Sequence, residues 1–314
     1  MSYVTDKQLA SKLSQLTPEI LEFPDFVPGD PVSWRVRANA LYTLVRKHFP
    51  FQEGVSTCEF TIPYKNSSLP ARRYTTGNAS GGVVLYIHGG GGVAGNIEFY
   101  DKIVRYYCWH SGVDFISLDY GLAPETCGLE QTEQVVSALI WLKEHSAELL
   151  IDPERVVLMG DSGGGGIVAS ATLVARDRSL SVAGTVMVYP MLDHQAENEL
   201  SELTPLLSIS REEIQTAWSA RLGKAVDPAL LPYISPSAVS DYSGLPPLFI
   251  DVGELDLFRR ENIHWAANAL QAGASVEFHL YPGVNHGFEL LAPESDIALQ
   301  AFKLRCAAIR RMIS

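Results

Sequence analysis

A layered α/β fold on a mostly parallel sheet of about eight strands is what this sequence predicts. Short apolar runs bounded by Gly or Asp recur from residue 83 onward, helical stretches separate them, and two glycine runs stand directly after runs of this kind. The apolar runs are VVLYIH (83–88), DFISLD (114–119), RVVLMG (155–160), GTVMVYP (184–190), LFIDVG (248–253) and VEFHLYP (276–282). Most are continuously apolar, as strands buried on both faces of a parallel sheet are. Between them EQTEQVVSALIWLKEHSAELL (130–150) repeats Val135, Ala138, Leu139 and Leu142 at helical spacing. STCEFTIPY and LPARRYTTG, joined by the polar KNSS, predict an antiparallel hairpin at the sheet edge.

The alternation breaks at 191–243, which lacks a clear strand but holds a helix candidate beginning near Ser210 with Glu212 and Glu213 in its first turn. The first ~50 residues also read as helical and rich in aromatics. The expected division is a helical cap segment at 1–54, a catalytic core at 55–190 and 244–314, and a cap insertion at 191–243.

Composition narrows the function. The 314 residues are 46% hydrophobic and 19% charged, a globular balance. A net charge of −12 without any basic stripe argues against nucleic acid as partner. The N-terminus shows no apolar core flanked by positive charge, no stretch approaches a membrane span, and Cys58, Cys108, Cys127 and Cys306 stand far apart. A cytoplasmic protein with free thiols and no metal site is expected.

Glycine in a helix costs roughly 1 kcal/mol relative to alanine, so the runs GGGG at 89–92 and 163–166 need a reason. GGGVAG (90–95) matches the dinucleotide fingerprint, with Asp119 ending the next strand, but a glycine run meets that pattern almost automatically and the second run stays unexplained. GDSGG (160–164) is G-x-S-x-G between a strand and a helix, the context in which a serine is presented on a sharp turn as a nucleophile. HGGG (88–91) would bring backbone N–H groups to the same point, and acyl transfer needs both parts.

These blocks, with DYGLAPE (119–125), YISP (233–236), GLPPLFIDVGELDLFR (244–259) and YPGVNHGF (281–288), resemble the hormone-sensitive-lipase-like esterases and lipases of the α/β-hydrolase superfamily. The resemblance implies an α/β-hydrolase fold with a helical cap and a serine ester hydrolase without cofactor. Carried over by position, it implies Ser162 as nucleophile, Asp256 as triad acid, His286 as general base, and the amides of Gly90, Gly91 and Gly163 as oxyanion hole. It further implies Phe23, Phe26 and Trp218 as pocket residues under the cap, a small-molecule ester of short or medium acyl chain as partner, and a homodimer through the edge strand 276–282. Departures bear on substrate preference: Gly163 replaces the usual Ala, Gly92 an aromatic, and Gly121 an Arg.

Rival readings stay open at this level. Glu254 and Asp251 compete for the acid, and His194 beside Asp193 could mimic a dyad. A lactonase or deacetylase could use the same triad, and a receptor could keep the fold without turnover. Gly165 and Gly166 would either let the helix press on neighbouring backbone or admit a bulky substrate.

Overall fold

The computed structural model describes residues 3–78, 80–195 and 203–314. Two helices come first, α1 (Lys7–Ile20) and α2 (Pro31–His48). Asp6 and Asp30 cap them, each carboxylate accepting two backbone N–H groups that a helix start leaves without partners. The sheet follows as β1 (Ser56–Tyr64), β2 (Ser67–Thr75), β3 (Val83–Ile87), α3 (Ile97–Ser111), β4 (Asp114–Leu118), α4 (Glu130–Glu144), the short α5 (Ser146–Leu149), β5 (Val156–Asp161), α6 (Ser162–Asp177) and β6 (Gly184–Val188). Then come α7 (Arg211–Leu222), β7 (Leu248–Gly253), α8 (Arg259–Gln271), β8 (Val276–Tyr281), the short α9 (Phe288–Leu291) and α10 (Asp296–Ile313).

The eight strands lie in the order β1-β2-β4-β3-β5-β6-β7-β8. β1 and β2 pair antiparallel, β2 meets β4 antiparallel, and every other pair is parallel. The hairpin turn is tighter than the polar KNSS suggests, since pairing resumes at Ser67 and Lys65 takes a positive φ of 50°. Strands β3 to β7 are buried along their whole length. Along β3, Val84 and Tyr86 join one core while Val83, Leu85 and Ile87 join another, so the period-two alternation feeds a hydrophobic layer on each face. A fully buried Leu or Phe stabilises by about 1.5–3 kcal/mol, which is why the apolar runs are continuous.

Ser210 and Glu213 close a reciprocal capping box on α7, as its acidic start anticipates. That helix packs on α2, so the N-terminal segment meets the 203–243 region above the sheet's carboxyl edge. The expected cap insertion also includes residues 196–202, which lie outside the described residues. Among the described residues no helix is long and apolar enough to cross a membrane.

The second glycine run is explained by crowding. A Cβ on Gly163 would lie 2.5 Å from the Gly91 backbone, and one on Gly164 would overlap the carbonyl oxygens of Ile87 and His88. Gly165 lies against Gly160 and Pro190, and Gly166 against the Met191 carbonyl. The first turn of α6 is thus pressed into backbone on several sides. Gly165 and Gly166 do not border the cavity described below, so only the close-approach half of that expectation holds.

Candidate active site

β5 ends in Asp161 and α6 begins at Ser162, whose φ of +53° puts a side-chain-bearing residue in the left-handed region. Such a conformation costs roughly 1–3 kcal/mol and persists only where its surroundings enforce it. Asp161 turns inward, accepting from the hydroxyls of Tyr86 at 2.7 Å and Tyr100 at 2.8 Å. Burial pushes its carboxyl up, while those two donors oppose the shift.

The loop after β7 carries Asp256 and the loop after β8 carries His286. His286 Nε2 stands 2.9 Å from Ser162 Oγ, and Nδ1 stands 2.8 Å from Asp256 Oδ2. Asp256 is 1% exposed, and its other oxygen accepts the Phe258 N–H at 2.9 Å. The imidazole is wedged edge-on between Tyr189, with centroids 4.4 Å apart, and Phe258 at 5.0 Å. A ring held on both sides keeps each nitrogen facing its own partner.

The rival acids are engaged elsewhere. Glu254 accepts from the Gly283 N–H at 2.9 Å. Asp251 is buried within β7 and takes two bonds from the Arg305 guanidinium. His194 offers the same nitrogen, Nδ1, to Ser235 at 3.0 Å and to Asp193 at 3.8 Å, so no proton can pass from one side of the ring to the other. His88 is fully buried, stacks on Tyr120 and reaches the Gly89 carbonyl, a bracing position for the glycine loop.

Gly90 and Gly91 take φ values of 114° and 60°, open to glycine at little cost. The Gly90 carbonyl accepts from Val93 and Ala94, which fixes the loop, and Gly91 abuts Gly163. Gly90 and Gly91 border the same space as Ser162 and His286. That space is a cavity of about 430 Å³ walled largely by apolar side chains, among them Leu13, Phe23, Trp34, Leu206, Ile209 and Ile214. At its polar margin Arg37 of α2 faces Glu213 of α7 at 3.7 Å.

Of the three pocket residues expected from sequence, Phe23 borders the cavity. Phe26 packs on the core outside the lining. Trp218 also stands outside it, 1% exposed, because its indole turns instead toward Arg221 and His194. Sequence reasoning missed Trp34, which covers Gly91, and Tyr189 at the serine's side. Tyr189 had a signal, the carboxyl end of a strand adjacent to the serine's strand, whereas Trp34 had none beyond its membership of an aromatic-rich helix.

A serine on a strand-to-helix turn, hydrogen-bonded through histidine to a buried aspartate at the carboxyl edge of this sheet, defines an α/β hydrolase. Residues 84–290 match the family described as alpha/beta hydrolase fold, and the chain belongs to that family, among its carboxylesterases. It is 32% identical over 239 residues to the carboxylesterase NlhH of Mycobacterium tuberculosis, covering 74% of each chain. It is 30% identical over 239 residues to the ethyl acetate hydrolase of Pseudomonas putida, covering 70% of this chain and 71% of that one. The solved structure of a bacterial heroin esterase superposes with a TM-score of 0.87 at 32% identity, over 99% of this chain and 98% of that one.

Proposed function

We propose that the chain cleaves carboxylic esters of short to medium acyl length through an acyl-enzyme, with Ser162 as nucleophile, His286 as general base and Asp256 as its orienting acid. The observation that carries this reading is the unbroken hydrogen-bonded line from Ser162 Oγ through both nitrogens of His286 to Asp256. His286 Nε2 takes the serine proton as Oγ adds to the ester carbonyl, and Asp256 stabilises the imidazolium that results. The amides of Gly90, Gly91 and Gly163 receive the negative charge on the former carbonyl oxygen. His286 then gives its proton to the departing alkoxide, and water activated by the same nitrogen releases the acid.

Residues 1–54 and 191–243 act as a cap over a core of 55–190 and 244–314 in this reading, and the apolar cavity walls they supply suit an acyl or alkyl chain. A cytoplasmic location and a homodimer through the exposed edge of β8 complete the proposal. Sedimentation at several concentrations checks the dimer.

The test is initial rates on p-nitrophenyl acetate, butyrate, octanoate and palmitate, with Ser162→Ala in parallel. Turnover of the shorter esters that falls about 10⁵-fold or more in the variant is expected. A folded wild type inactive on every ester, or an active Ser162→Ala, overturns the reading.

A further inference from the structure

Arg221, in the last turn of α7, is 1% exposed, yet no carboxylate among the described residues pairs with it. Its Nη2 makes one long bond of 3.4 Å to the Ile234 carbonyl, while Nε and Nη1 find no acceptor among the described residues. The guanidinium lies 4.6 Å over the Trp218 ring. Burial lowers its pKa only to about 10, so it is cationic at neutral pH. The neighbouring Tyr120 phenol is held neutral, its pKa driven up by burial. An unpaired buried cation is expensive to the fold, and replacing one by an apolar side chain of similar volume is often stabilising. The stack on Trp218 offsets part of that cost, but no ion pair among the described residues does.

Its position supplies a reason to keep it. A Cβ on Gly92 would stand 2.8 Å from Arg221 Cδ and 3.1 Å from Nε, and one on Gly166 would stand 3.6 Å from Nη1. Gly92 directly follows the two loop glycines that border Ser162, and Gly166 is about one helical turn beyond that serine. The side chain therefore lies behind both backbone segments from which the oxyanion donors come. None of these contacts is with the Asp256 or His286 loops. Gly92 stands where the family commonly has an aromatic, and any side chain there would collide with Arg221.

We infer that Arg221 is an electrostatic positioning residue, resting on the ester-hydrolase reading above: its fixed charge behind the glycine loop raises the potential at the oxyanion hole and favours the tetrahedral intermediate over the bound ester. Charge placed before the reaction, in a site shielded from water, acts on the transition state without reorganising. The ground-state carbonyl carries little charge to feel it, so the effect falls on kcat and spares KM.

The experiment compares Arg221→Met, Arg221→Gln and Arg221→Lys in the full chain on p-nitrophenyl butyrate, with thermal melts of each. Both neutral variants should lose about tenfold or more in kcat, with KM within about twofold of wild type. Arg221→Met should melt at or above the wild-type temperature, and Arg221→Lys should retain kcat within about threefold. If Arg221→Met fails to fold, the Gln and Lys pair carries the same comparison. Neutral variants with wild-type kcat overturn the inference. So does a Lys variant as impaired as the neutral ones, because shape and not charge would then matter. An inactive wild type would overturn the ester-hydrolase reading and this inference with it; an active wild type with unaffected neutral variants faults Arg221 alone.

Discussion

Substituting Asp256 by Asn tests the catalytic assignment at the point where geometry leaves least freedom. The two carboxylate oxygens have different partners: Oδ1 accepts the Phe258 N–H at 2.9 Å and Oδ2 faces His286 Nδ1 at 2.8 Å. An asparagine must keep its carbonyl oxygen toward Phe258, since an amide nitrogen there would meet another donor. Its NH₂ group then points at His286 and forces Nδ1 to accept. The imidazole proton moves to Nε2, the nitrogen that faces Ser162 Oγ and that the proposed mechanism needs free to accept its proton. All hydrogen bonds remain satisfied, so the variant should fold with a melting temperature close to wild type. A histidine locked in the wrong tautomer costs about 10⁴ in kcat, equivalent to about 5.5 kcal/mol of transition-state stabilisation. Steady-state rates on p-nitrophenyl butyrate, with Glu254→Gln as control, measure the difference. Glu254 is engaged with the Gly283 N–H and should cost less than tenfold in kcat. An Asp256→Asn variant within tenfold of wild type, or two variants equally impaired, would refute the assignment.

Two further outcomes follow from packing and burial. Gly164→Ala gains about 1 kcal/mol of helix propensity, but its Cβ meets the Ile87 and His88 carbonyls, and overpacking of that kind costs about 1–3 kcal/mol or more. The variant should melt several degrees lower and lose activity as the glycine loop is pushed aside, and a melt at or above wild type would contradict the crowding described here. Burial pushes the thiols of Cys108 and Cys306 up to about 12, so both stay protonated and unreactive at pH 8, while Cys58 is exposed. Titration with an aromatic disulfide should therefore find Cys58 fast and release Cys108 and Cys306 only on unfolding; rapid reaction of the buried pair in the native state would count against their placement.

Legibility in the sequence followed the range over which the responsible forces act. Continuous apolar runs and glycine-bounded turns are local, and they gave the strand positions within a residue or two. GDSGG, ELD and NHG lie at or just beyond strand ends, and parallel strands share one carboxyl edge, so the sequence alone brings Ser162, Asp256 and His286 to one place. The rivals Asp251 and Glu254 could not be dismissed that way. Their partners, Arg305 on α10 and the Gly283 amide, stand 54 and 29 residues away, and no periodicity reports such a pairing. Pocket residues were harder still. Phe26 and Trp218 are aromatic and near the cap, as Phe23 is, but which ring faces a cavity depends on how two helices dock. Trp34 settles over Gly91 by that docking alone.

The walls of the cavity and the proposed catalytic groups occupy different stretches of chain: α1, α2 and the 205–214 stretch supply most of the lining, while Ser162, Asp256 and His286 hang from strand ends. Drift at Leu13, Phe23 or Ile209 can change what the enzyme accepts and leave the reactive alignment untouched. Lineages built this way can explore new diets of ester by mutating the N-terminal helices and the 205–214 stretch. The inherited chemistry underneath is shielded from that search.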